Sequence, residues 1–298
     1  MKWSLARWLT DRTAASMAAN PSMSAEQFAR RFNPLRDTVY DAGAMFSGSA
    51  MSEDLSALQP LAEGLGAGST ELAELLWLQF VVFGKRQMDD EGLPLGLRAL
   101  AIRTALGNLT PSDRYAQHYA IGESALRAED YNTAIEHLRQ SAHWADHEGA
   151  TLSIDQKLGI REEIGYALHE AGRFAEALAH NQQLLADALA AFGSDTDARL
   201  SGLINNLAQN TYELDDHTRA QHYLQQRLAL GQALKDDSIV LDTLFQQGVL
   251  AHESGDGALA HTLLKQRVAI AQAGGDEDLI EEAEAALAEL AEREQPQQ

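Results

Sequence analysis

The sequence predicts an all-α protein: a stack of helical hairpins behind an irregular helical amino-terminal region. Three observations lead there. Ala, Leu, Glu and Gln dominate a chain of 298 residues with only six prolines, a composition of strong helix formers. A small residue followed twelve positions later by alanine recurs four times in near-constant register. The acidity of the chain is concentrated in the region that carries this recurrence.

The length suits two ordinary domains, or one elongated repeat array with an extension. Apolar residues make up 45%, enough for a core, so composition argues against disorder. The absence of cysteine excludes disulfides and thiolate metal sites and is compatible with a reducing compartment. Met1 to Trp8 carries charge with no continuous apolar run behind it, where a secretory signal needs roughly 7–15 apolar residues. A cytoplasmic protein is expected. The most apolar stretch, Leu75 to Phe83, is interrupted by Gln79 and falls short of the ~20 residues of a membrane span, so it reads as a buried helix.

The formal charge of −21 is unevenly placed. Residues 1–110 hold 10 Lys/Arg and 12 Asp/Glu, a net of −2; residues 111–298 hold 13 and 32, a net of −19. This disfavours nucleic acid and anionic membranes as ligands of the repeats and favours basic partners. A surplus of acids that only keeps a helical surface soluble is the competing explanation.

The repeat units carry Gly122, Gly165, Ala208 and Gly248, followed twelve positions later by Ala134, Ala177, Ala220 and Ala260 respectively; both series step by 43, 43 and 40 residues. The small residue belongs to a first helix and the alanine to a second, at their closest crossing. A larger side chain there costs on the order of 1–3 kcal/mol. Between them, Glu129-Asp130, Gly172-Arg173, Asp215-Asp216 and Gly255-Asp256 mark the turn. Leu138, Leu224 and Leu264 follow the alanine by four, on its face of the helix. The second unit has Asn181 there, with Leu184 and Leu185 taking over the apolar load. Thr110-Pro111-Ser112-Asp113 reads as the capped start of the array. At the other end Gly274-Gly275 breaks the chain. Asp276 then opens a capping helix with Leu279, Ile280, Ala283, Leu287 and Leu290 on one stripe.

These residues resemble the tetratricopeptide family over about residues 111–295. The longer repeat, with Ile204-Asn205-Asn206-Leu207-Ala208 opening the third unit, resembles its kinesin-light-chain subtype. The resemblance implies a right-handed superhelical α-solenoid whose concave wall is made by the first helices of the hairpins. It also specifies a scaffold while saying little about the ligand. The expected organisation is residues 1–110 as an irregular helical cap and 111–275 as four repeats (111–150, 154–193, 197–236, 238–273), then a capping helix over 276–295.

Carried onto this sequence, the family's groove positions are Tyr119, Glu123 and Arg127 in the first unit. The second offers Glu162, Glu163, Tyr166, His169 and Glu170. The third offers Asn205, Asn206, Gln209, Tyr212 and Glu213, and the fourth Asp242, Phe245, Gln246, His252 and Glu253. Seven acids stand against one arginine. Interspersed amides and rings suit an extended peptide, because amides bond a backbone and rings cover side chains. Tyr119 and Glu123 stand where a carboxylate clamp for a chaperone tail would begin, which disfavours that ligand. A basic segment is the expected occupant; a merely solvated acidic face is the alternative.

Over residues 1–110, helices are expected near 3–18, 24–32, 35–46, 52–64, 70–87 and 94–107. Ser24-Ala25-Glu26-Gln27 forms a capping box for the second. Gly64 to Thr70 is glycine-rich, but a phosphate loop needs lysine before its Ser/Thr and Gly68 stands there, so it reads as a linker with an N-cap. The first helix, with Trp3, Leu5, Trp8 and Leu9 beside Lys2, Arg7 and Arg12, is basic and amphipathic. It suits a membrane surface, a partner helix or packing on its own protein. Leu75, Trp77, Phe80 and Phe83 are expected to pack against the first repeat.

No chemistry-bearing motif emerges. His143 and His147 share a helix face, but Trp144 occupies the place of a zinc-protease glutamate. His217 and His222 are five apart and do not share a face well. Nucleophile-elbow, dinucleotide and kinase patterns are missing, and nothing pairs two carboxylates in a dry pocket for acid–base work. The sequence therefore reads as a non-enzymatic adaptor without metal or cofactor, monomeric or homodimeric, that is expected to bind a basic protein or peptide segment in an acidic concave groove. An inhibitor or immunity-type protein neutralising one basic partner, a toxin or a nucleic-acid-binding protein, is the alternative.

Overall fold

The computed structural model describes residues 24–41, 48–147 and 151–293; the helix expected near 3–18 lies outside them. Among the described residues there are thirteen helices and no strand. The chain divides into two compact units, residues 1–110 and 111–298.

The first unit contains α1 (Ala25–Tyr40), α2 (Gly48–Leu65), α3 (Thr70–Lys85) and α4 (Asp89–Leu106). The expected break between 32 and 35 does not occur. Pro34 sits inside α1, where it removes one backbone hydrogen bond, while Phe28 and Phe32 before it and Val39 after it are all buried. Ser24 and Gln27 form the reciprocal capping box. Ser69 accepts from Leu72 N at 3.2 Å, so the glycine-rich stretch ends in an N-cap. α3 is the buried helix of this unit, with Leu72, Leu75, Leu76 and Leu78 inaccessible to solvent. Gly92 and Gly96 on α4 let it lie against Phe80 and Phe83, where added Cβ atoms would come within 2.9 Å of a side chain.

The second unit repeats one hairpin four times: α5 (Pro111–Arg127) with α6 (Tyr131–Ala145), and α7 (Ile154–Glu170) with α8 (Phe174–Phe192). Then come α9 (Leu200–Glu213) with α10 (His217–Leu234), and α11 (Asp237–Glu253) with α12 (Gly257–Gly274), closed by α13 (Glu277–Arg293). Each second helix packs on the first helix of the next hairpin as well as on its own partner.

All four hairpin turns are built the same way. Glu129, Gly172, Asp215 and Gly255 take positive φ of 56°, 70°, 57° and 83°. The next residue in each turn donates its N–H back across the helix end, to Ala125, Leu168, Thr211 and Ala251 oxygens at 2.9 Å. This is a Schellman stop, and it runs straight into the next helix. Asp130, Asp216 and Asp256 then cap the second helix by accepting from Thr133, Arg219 and Leu259 N–H groups. Arg173 makes no such bond; its guanidinium instead pairs with Glu176 at 2.7 Å.

The small residues do what their spacing demands. A Cβ added at Gly122 would lie 2.7 Å from Leu138, and one at Gly248 would lie 2.9 Å from Leu264. In the second hairpin the partner of Gly165 is Asn181, whose Oδ1 would stand 2.1 Å from such a Cβ. Asn181 is fully buried, and neither its oxygen nor its nitrogen has a hydrogen-bond partner.

Neighbouring hairpins are tied by a repeated arginine. Arg227 on α10 bonds Asp242 at the start of α11, with Ser201 and Thr243 beside it. Forty residues on, Arg267 on α12 bonds Glu282 on α13 at 2.5 Å and the Leu241 oxygen at 3.2 Å. Both arginines are buried while their acidic partners are largely exposed.

Asn181→Leu is expected to stabilise the protein by about 1–3 kcal/mol, because it removes a buried unpaired amide and restores the leucine of the other hairpins. Chemical denaturation checks this, and a lowered midpoint contradicts it. Glu129→Gly and Asp215→Gly should each add about 1 kcal/mol by relieving a left-handed non-glycine residue. Equal or lower midpoints in both would show that those turns carry no strain.

Candidate functional site

The first helices α5, α7, α9 and α11 place the expected groove residues in corresponding positions, but the structure does not use them alike. A concavity of about 420 Å³ gathers seven of the eighteen: His169, Glu170, Gln209, Tyr212, Glu213, Phe245 and Gln246. It spans α7, α9 and α11. Its floor is Ala208, Ala220, Leu224 and Leu250, so the small pair of the third hairpin opens the depression as well as letting the helices cross. Its wall is Phe245 and Val249, both 37% exposed. No lysine or arginine lines it.

The sequence reading missed Val249 and the floor. Val249 follows Gly248 as Gln209 follows Ala208 and Tyr166 follows Gly165, so register alone points to it. The floor residues were legible only as core.

Several expected groove acids are already engaged. Tyr119 on α5 donates to Glu163 on α7 at 2.7 Å, and Tyr212 on α9 donates to Glu253 on α11 at 2.6 Å. Glu123 meets Arg127 at 3.5 Å, and Asp242 is held by Arg227. Glu170, Glu213 and Glu253 each end a first helix in the same register, forming one acidic row. Glu162 and Tyr166 are exposed, while Asn205, Asn206 and His252 are half-buried. His169 Nδ1 lies 2.8 Å from Asn210 Oδ1, which fixes the ring that borders the concavity. The Asn205 Oδ1 and Glu163 Oε2 atoms are sealed from solvent without a donor.

Electrostatics mark the junction of the first two hairpins. Burial raises the Glu163 carboxyl to about 7 and the nearby Glu123 and Glu162 add to this, against the opposing Tyr119 hydrogen bond. Glu162 is raised too, because its carboxyl is partly desolvated by its neighbours although the residue as a whole is exposed. Tyr212 is pushed up to about 12, mainly by its bond to Glu253. In the first hairpin His118 and His137 face each other with Nδ1 atoms 3.1 Å apart. Burial, then the neighbouring His137 and Arg114, depresses His118 to about 4.

Outside the groove, His143 and His147 flank the Trp144 ring with centroids 5.1 and 5.5 Å away. Among the described residues, no three metal-ligating side chains come together, and no helix is long and apolar enough to cross a membrane.

Glu163 gives the stability a definite pH signature. Its raised value means the folded chain holds this proton more tightly than the unfolded one, so its contribution is present below about 4.5 and is lost as pH rises through about 7. His118 acts oppositely, favouring the fold above about 6.5 and losing that contribution as pH falls toward 4. His137 and His180, also depressed by burial, act in the same sense as His118, so the Glu163 contribution is read from the difference between wild type and Glu163→Gln. Between about pH 5 and about pH 7 the wild-type melting temperature should fall relative to that of Glu163→Gln. Parallel melting curves would remove the assignment.

The sequence matches no protein-family model, and no curated protein matches it. Solved structures do. BtubC (BKLC) from P. vanneervenii is 18% identical with a TM-score of 0.54, covering 85% of this chain and 93% of that one. A putative kinesin light chain from Podosopora anserina with nearly identical TPR-like repeats is 17% identical with a TM-score of 0.50, over 70% and 97%. The apo form of RapI is 11% identical with a TM-score of 0.59, over 89% and 71%. At such identities the likeness is one of fold. Residues 111–293 form a tetratricopeptide-type helical solenoid, the fold of kinesin-light-chain-like structures.

Proposed function

We propose that the concave face of residues 111–293 captures a basic segment of another protein, and that the chain is a non-enzymatic adaptor. One observation carries this reading. The concavity across α7, α9 and α11 has an apolar floor and wall, polar side chains able to bond a backbone, two rim glutamates and no lysine or arginine. Such a surface rejects anions and offers a cationic, partly apolar segment both charge and contact.

The placement of the acids supports a ligand over mere solubility. Glu170, Glu213 and Glu253 are each the last residue of a helix. There the backbone dipole is already negative, so an acid costs roughly 0.3–1 kcal/mol where a cation would stabilise by a similar amount. Acids serving only to wet the surface fit better in first turns. Three in one register at the unfavourable end point to a task that needs negative potential along that edge.

The test places a photo-crosslinking residue at Gln209 of the full chain, combined with Glu170→Lys and Glu213→Lys. Crosslinks should fall on Lys/Arg-bearing segments, and the reversed pair should weaken capture about tenfold or more at low salt, or about 1.4 kcal/mol. The loss should shrink as salt screens the groove. Capture unaffected by charge reversal, or crosslinks confined to acidic segments, would overturn the reading.

A further inference from the structure

This inference rests on the groove reading and concerns the features that distinguish the bound segment from any polybasic tail. They follow from how the concave wall changes along the array. At the position three before each small residue stand Tyr119, Glu162, Asn205 and Phe245; at the position after it stand Glu123, Tyr166, Gln209 and Val249. The two positions are four apart on one helix face. Only on α11 are both purely apolar. Phe245 and Val249 are nonetheless 37% exposed, and both border the concavity.

Within this exposed pair, Phe245 is backed by a buried arginine. Arg267, only 4% exposed, stands 5.1 Å from the Phe245 ring centroid and is itself fixed by the Leu241 oxygen and Glu282. Leaving such a wall uncovered forgoes roughly 25 cal/mol per Å² of apolar surface. A polybasic ligand would not cover it, since lysine chains have no use for a dry wall beyond their stems. A purely apolar ligand would leave Glu170 and Glu213 unanswered.

The rim acids set a spacing. Glu170 and Glu213 occupy the same register on α7 and α9, first helices that lie in contact. Packed helices are about 8–10 Å apart, and an extended chain advances roughly 3.3 Å per residue. One helix step therefore matches about three residues of a bound segment.

We propose that the concavity takes an extended protein segment with one large apolar side chain seated on Phe245 and Val249, and with a lysine or arginine about three residues away at Glu213, one helix step along, or about six residues away at Glu170, two steps along. The partner's signature is thus an apolar anchor beside a cation, and positive charge alone is insufficient.

The test uses the full chain and a displayed library of random peptides, followed by synthetic pairs that differ only in the anchor. Enrichment should favour Leu, Ile, Val, Met or Phe about three or about six residues from Lys or Arg. Replacing the anchor by serine should weaken binding about tenfold or more, and that difference should vanish in Val249→Ser. Val249 is exposed, so its substitution empties no core. Enrichment of polybasic peptides without an anchor would overturn this inference and leave the basic-groove reading standing. An anchor effect that persists in Val249→Ser would also overturn it. Enrichment of acidic peptides, or none bound on the concave face, would overturn both.

Discussion

Everything in the second unit hangs on how closely two helices cross within each hairpin. With no side chain at Gly122 and Gly248, the leucines of the opposite helix reach the backbone itself. The crossing then presents each first helix to its neighbour in a fixed way, and the outward faces of those helices become one wall. Interiors are close-packed and do not deform continuously, so a crossing set by glycine and leucine fixes the spacing of the wall. The Schellman turns serve the same end. By stopping one helix and capping the next within two residues, they leave little freedom in the angle between them.

The two departures from this pattern are informative. Asn181 puts an unpaired amide where leucine packs elsewhere, beside Gly165 on the helix that carries Glu162, Glu163, Tyr166 and Glu170. Ala208 replaces glycine in the third hairpin, where the space above Ala208 and Ala220 becomes the floor of the concavity. Both depart from the regular hairpin next to the richest part of the groove. Local rules give way most readily where a surface has another task.

Electrostatics divide the groove into working and occupied stretches. The bonds Tyr119–Glu163 and Tyr212–Glu253 join consecutive first helices and engage two acids that a charge count treats as free. Asp242 is spent on Arg227, a structural tie repeated by Arg267 and Glu282. What is left for a cation is Glu162 on α7 and, bordering the apolar floor, Glu170 and Glu213. The groove is therefore narrower in charge and richer in apolar contact than its composition implies.

The hairpin register was legible in the amino-acid pattern alone, because close crossing, helix termination and capping are short-range demands that leave a residue at a fixed offset. Gly122 with Ala134, the positive-φ turn at Glu129 and the cap at Asp130 all lie within twelve residues of one another. The amino-acid pattern also placed the charge, since a net of −19 over residues 111–298 is additive and needs no geometry. Tertiary structure alone decided which acids remain available. Pairs such as Tyr119 with Glu163, 44 residues apart, form across hairpins, and no local pattern announces them. It alone decided that α1 runs through Pro34, because burial on both sides of the proline outweighs one lost hydrogen bond. And it alone turned core-like residues such as Ala208 and Leu250 into the floor of a concavity, since the spacing of α9 and α11 is a property of the stack and not of either helix.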